Sequence, residues 1–153
     1  MRYSKGSLFI LIMVLSLNLG GCPWLSPRAG YAVRVTAHIP PQPVDSLRMA
    51  WLGLGGFEGP RQMRGTDPNC SYYLKRLPLS GVVASAYDCY GPTDDSMTGW
   101  GYKVSVSVMA HEDRPEVRAE IEALGEEIRK AIQAQVGDAR VTKKSGPIFL
   151  PMI

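Results

Sequence analysis

Residues 100–136 read WGYKVSVSVMAHEDRPEVRAEIEALGEEIRKAIQAQV, and two periods meet inside this one stretch. From Trp100 to Ala110 the period is two. Tyr102, Val104, Val106, Val108 and Ala110 alternate with Lys103, Ser105, Ser107 and Met109, which predicts a strand with one packed face and one wet face. From about Arg114 to Val136 the period is that of a helix. Val117, Ile121, Leu124, Ile128, Ile132 and Val136 recur at three- and four-residue steps and form one apolar stripe. Asp113 is placed to cap this helix, with Glu116 three positions later. Pro115 fits the first turn, where its missing N–H costs little. Glu126 and Lys130 form a supporting pair, and Gly137 ends the helix. A half-wet strand leading into a long amphipathic helix is the signature of a sheet with a helix laid across it.

Working outward, Tyr31 to Ile39 repeats the strand pattern. Tyr31, Val33, Val35, Ala37 and Ile39 share one parity, and Arg34, Thr36 and His38 the other. Asp45 or Ser46 caps a short helix carrying Leu47, Ala50, Trp51 and Leu54 on one side. Residues 57–69, rich in Gly, Pro and Arg, read as a loop. Cys70–Leu77 and Val82–Tyr90 read as a hairpin around Pro78-Leu79-Ser80-Gly81. Pairing Leu77 with Val82 and counting outward sets Tyr72 opposite Tyr87 and Cys70 opposite Cys89. Directly opposed positions have the Cβ separation a disulfide needs. Closing a loop of this length stabilises by about 3 kcal/mol. Arg140 to Thr142 reads as a last short strand. The order of elements predicts an α+β fold, a ferredoxin-like βαββαβ sheet with an extra strand from the Cys70 region.

The first 22 residues are of another kind. Arg2 and Lys5 precede an apolar run, Leu8 to Leu17, of signal-peptide length and too short to span a bilayer of about 30 Å. The run ends in Leu19-Gly20-Gly21-Cys22. A branched apolar residue, two small residues and a cysteine resemble the lipid-attachment box of the bacterial lipoprotein class. The resemblance covers only this segment. It implies cleavage before Cys22, a diacylglyceryl thioether and an N-acyl chain on Cys22, and no other cofactor. Two or three acyl chains anchor stably where one does not. Pro23, where an Asp would imply inner-membrane retention, implies the outer membrane facing the periplasm. The expected organisation is a signal at 1–21, a lipidated tether at 22–30, one α+β domain at 31–142 and a tail at 143–153.

The signal holds two of the 17 basic residues and none of the 14 acids, leaving a mature charge near +1 and no case for nucleic acid. An exported chain with two cysteines besides Cys22 reads as one disulfide, because the periplasm is oxidising.

No motif identifies a reaction. Gly53-Leu54-Gly55-Gly56-Phe57-Glu58-Gly59 fails as a nucleotide loop, since the third glycine of G-x-G-x-x-G falls on Glu58. Asp94-Asp95 lack calcium-loop spacing and read as turn residues. No serine sits in a nucleophile elbow. His38 and His111 each follow a strand on its outward parity. Were those strands parallel neighbours, both would share a sheet end with Asp45, Glu112 and Asp113 and offer a metal or small-ligand site; solvated strand ends are the commoner fate of such residues. Trp24, Trp51, Trp100 and the tail's apolar run, with Phe149, Leu150 and Ile153, are candidate contact residues; core packing is the ordinary fate of Trp51 and Trp100, as docking on its own domain is of the tail. The resulting expectation is a membrane-anchored, non-enzymatic component of a cell-envelope assembly with an envelope protein partner. A ligand- or metal-binding lipoprotein is the alternative.

Overall fold

A computed structural model describes residues 28–39, 44–61, 67–92, 102–137 and 140–150. The chain runs β1 (Arg28–Ile39), α1 (Val44–Leu52), β2 (Phe57–Arg61), β3 (Cys70–Arg76), β4 (Val83–Pro92), β5 (Tyr102–Ala110), α2 (Pro115–Val136) and β6 (Arg140–Leu150). The strands form one six-stranded sheet in the order β2-β3-β4-β5-β1-β6, with every pairing antiparallel. Within it, β1-α1-β4-β5-α2-β6 is a βαββαβ unit, its strands ordered β4-β5-β1-β6. β2 and β3 extend that sheet past β4. This is an α+β fold with its helices on the sheet.

The period-two strands β1 and β5 bury the parity expected of them, and β4 adds two alanines. Val33, Val35, Ala37 and Ile39 of β1, Ala84 and Ala86 of β4, and Val104, Val106, Val108 and Ala110 of β5 make the sheet side of the core. The α2 stripe of Val117, Ile121, Leu124, Ile128 and Ile132 covers them. Gly125 lies in that stripe because no side chain fits there: a Cβ would sit 2.3 Å from Val33 Cγ1. From α1, Leu47 and Trp51 fill the other half of the core, and the Trp51 ring meets Phe57 and Tyr73 edge-on at 4.9 and 5.2 Å. Leu54 ends up exposed, beyond the last helical turn.

The hairpin is built as its sequence spacing predicts. Leu77 N–H donates to the Val82 carbonyl at 2.8 Å, Tyr72 faces Tyr87, and Cys70 faces Cys89, to which it is disulfide-bonded.

Four boundaries need correction. Residues 57–61, read as loop, are strand β2. It is an edge strand whose positions run from half-buried Phe57 to four exposed residues, so no alternation marks it. β6 runs to Leu150 rather than stopping at Thr142, so residues 143–150 are not a tail. They pair with β1, which begins at Arg28, three residues before Tyr31 and inside the expected 22–30 tether. Finally, Arg114 and not Asp113 is the N-cap of α2, and its side chain makes no capping bond. The Asp113 carboxylate is held instead by the Arg118 guanidinium.

Candidate functional site

One face of the sheet is covered by α1 and α2. Across β3, β4, β5, β1 and β6 the opposite face carries no described element. Strand pairing lays its side chains out in rows. One row runs Tyr72, Tyr87, Ser107, Arg34, Lys144, and the next runs Leu74, Ser85, Met109, Ala32, Gly146. A third runs through the Cys70–Cys89 disulfide to Ser105, Thr36 and Thr142. The tyrosine rings of Tyr72 and Tyr87 lie 4.9 Å apart, and the Arg34 Nε donates to Ser107 Oγ at 3.0 Å. None of the positions that these five strands present to the open face is an acid, whereas Arg34, Lys103 and Lys144 are all cationic.

Three carboxylates on the other face are matched within the fold. Asp88 is fully buried on β4. It accepts from Arg48 Nε of α1 at 2.8 Å, from the Tyr90 hydroxyl at 3.1 Å and from the Ser71 N–H at 3.2 Å. Burial, and then the Asp88 charge, push the Tyr90 phenol up from its ordinary pKa. Glu120 of α2 accepts the backbone N–H groups of Leu79 and Ser80 at 2.7 and 2.9 Å and so pins the hairpin turn to the helix. Burial alone would raise its pKa, but the Ser80 and Leu79 hydrogen bonds outweigh it and the carboxyl is lowered. Glu122 accepts from Tyr31 Oη at 2.6 Å and Lys143 Nζ at 2.9 Å, joining α2 to β1 and β6. Hydrogen bonds from Ser145, Tyr31 and Lys143 hold its pKa down at about 2. These three carboxylates are committed to holding the fold.

Of the residues expected to meet, Cys70 and Cys89 do. His38 and His111 do not, and their shared site is corrected here. β1 and β5 are antiparallel: His38 pairs with Lys103, while His111 follows Ala110, which pairs with Tyr31 at the other end of β1. Seven strand residues, about 24 Å, separate the two positions. Among the described residues no group of three or more His, Cys, Asp or Glu is arranged to hold a metal ion. Trp51 is core. Phe149 and Leu150 pair through their backbones with Ala29 and Arg28. Cys22, Trp24, Asp94, Asp95, Trp100 and Ile153 lie outside the described residues, and no described helix is long and apolar enough to cross a membrane.

Sequence reasoning did not find the Arg34–Lys144 pair. These residues are 110 positions apart in the chain, and only the β1–β6 pairing, in a segment read as a tail, makes them neighbours.

No protein family and no curated protein matches this sequence. Among solved structures it is similar to a hydantoinase/carbamoylase family amidase from Burkholderia ambifaria, at 16% identity and a TM-score of 0.33, over 90% of this chain and 32% of the amidase. The chain thus spans about a third of the amidase's length. A likeness at this level carries no argument about activity.

Proposed function

We propose that this chain is an exported bacterial lipoprotein, anchored through lipid on Cys22, whose domain serves as an interaction component of a cell-envelope assembly rather than as an enzyme. The observation that carries the reading is a coincidence of two independent features. The Leu19-Gly20-Gly21-Cys22 box belongs to a chain whose remaining two cysteines are joined in a disulfide. That bond persists in an oxidising compartment such as the periplasm, which is where the box would send the chain. Pro23 favours the outer membrane. The engagement of Asp88, Glu120 and Glu122 by partners within the fold supports a structural role for these acids.

The test is metabolic labelling with radioactive palmitate, followed by crosslinking and capture of the tagged protein from solubilised envelopes. The reading expects label on the native chain, none on Cys22→Ala, and a near-stoichiometric envelope protein captured only with the native chain. A native chain that incorporates no label would contradict the anchor. A labelled chain captured alone would contradict the assembly role.

A further inference from the structure

Arg34 and Lys144 stand directly opposite one another across β1 and β6 on the open face. Like charges in that position destabilise a sheet. Among the described residues neither cation has an acidic partner; Arg34 is bonded to the Ser107 hydroxyl. Beside them the sheet forms an open depression of about 260 Å³. Its floor is low because Ala32 and Gly146 occupy adjacent strand positions. Met109 and Ile148 make apolar walls, while Arg34, Lys144 and Ser107 make a polar rim. The Gly146 Cα–Hα vector looks into unoccupied space, since an added Cβ would find no atom within 4 Å.

From this arrangement we infer that the depression is a binding site for an anionic amphiphile of the phospholipid class. The head, a phosphate monoanion, lies between the Arg34 guanidinium and the Lys144 ammonium and accepts from both. The apolar part covers Ala32 and Gly146 between Met109 and Ile148. The charge and the shape each demand a different half of the ligand. A free inorganic anion would leave the apolar walls wet, and an uncharged lipid would leave two adjacent cations uncompensated. The inference adds a ligand to the envelope role proposed above but draws on none of its evidence.

The test uses the full chain in a maltoside detergent, titrated separately with dihexanoylphosphatidylglycerol, dihexanoylphosphatidylcholine and inorganic phosphate. The readout is the backbone amide shifts of Ala32, Arg34, Ser107, Lys144, Ser145, Gly146 and Ile148. Saturable shifts are expected with the phosphatidylglycerol, with binding at least tenfold weaker for the other two probes. Arg34→Gln and Lys144→Gln should each weaken binding about tenfold, the worth of one charge-assisted hydrogen bond. Gly146→Leu keeps both cations, fills the depression and should abolish binding, while its melting temperature stays that of the native chain. Absence of saturable shifts would overturn the site. So would phosphate or phosphatidylcholine binding as tightly as phosphatidylglycerol, or undiminished binding by Gly146→Leu. Because the assay reads the chain whether or not Cys22 is acylated, a failed palmitate label and a failed titration remain separate results.

Discussion

The two faces of the sheet differ in how they treat charge. On the helix-covered face three buried or half-buried carboxylates have their counterparts: Asp88 has Arg48, Glu120 has the hairpin N–H groups, and Glu122 has Tyr31 and Lys143. On the open face Arg34 and Lys144 face each other with no acid among the described residues. A side chain whose charge is matched inside the molecule is accounted for by folding. Paired cations with no acidic partner among the described residues, on a face that no described element covers, are not, and that is where a partner or ligand has something to gain. Substitutions on the first face should therefore cost stability, and those on the second should cost binding alone.

The largest effect is expected at Arg48. Its removal strands the fully buried Asp88 carboxylate, so Arg48→Met should lower unfolding free energy by about 3–5 kcal/mol in urea titrations. Adding Asp88→Asn should restore a large part of that loss, because the penalty belongs to the unpaired charge. Equal stability of native and Arg48→Met proteins would erase the contrast between the faces.

Gly125→Ala comes next. Alanine is the better helix former by about 1 kcal/mol. Here its methyl group would lie 2.3 Å from Val33 Cγ1, and overpacking of that kind costs about 1–3 kcal/mol. The expected outcome is a net loss of stability, only partly recovered in Gly125→Ala/Val33→Ala, because the Cβ at position 33 would still lie 2.9 Å from the new methyl group. A stabilised single variant would show that α2 does not seat as closely on β1 as described.

Glu122 sharpens the comparison through pH. Its folded pKa of about 2 lies below the ordinary 4.5, so the folded state favours the ionised carboxylate. The stability it contributes is complete above pH 4.5 and is lost as pH falls through 2. The side chain is 32% exposed, so solvent screening reduces the contribution to about 1–2 kcal/mol. Native protein should lose that much more stability than Glu122→Gln between pH 5 and pH 2. Parallel stability–pH curves would remove Glu122 from the matched set.

The smallest effects should come from the open face. Arg34→Gln and Lys144→Gln should change unfolding free energy by less than about 0.5 kcal/mol, with a slight gain where cross-strand repulsion is relieved. A loss above 1 kcal/mol in either would make the pair structural.

What the sequence shows of this fold follows from which strands have a buried face. β1, β5 and the α2 stripe are legible because Val33 to Ile39, Val104 to Ala110 and Val117 to Ile132 all face the same core. The Cys70–Cys89 pairing is legible because a short loop fixes hairpin register and parity carries it outward. β2 and the second half of β6 are edge strands with little to bury, and Lys143 to Pro147 gives no alternation of apolar and polar residues; backbone pairing alone defines them. The site was the least legible part. Its cations come from β1 and β6, and the proximity expected of His38 and His111 fails because it depended on parallel rather than antiparallel neighbours.

The central claim, that the open face makes the contacts and the helical face holds the fold, is tested most directly by site-specific photocrosslinking in intact envelopes. One photoreactive residue replaces Thr36, in the middle of the open face, and another replaces Ala119, exposed on α2. The account predicts a discrete lipid or protein adduct from position 36 and none from position 119. An adduct confined to position 119 would contradict it.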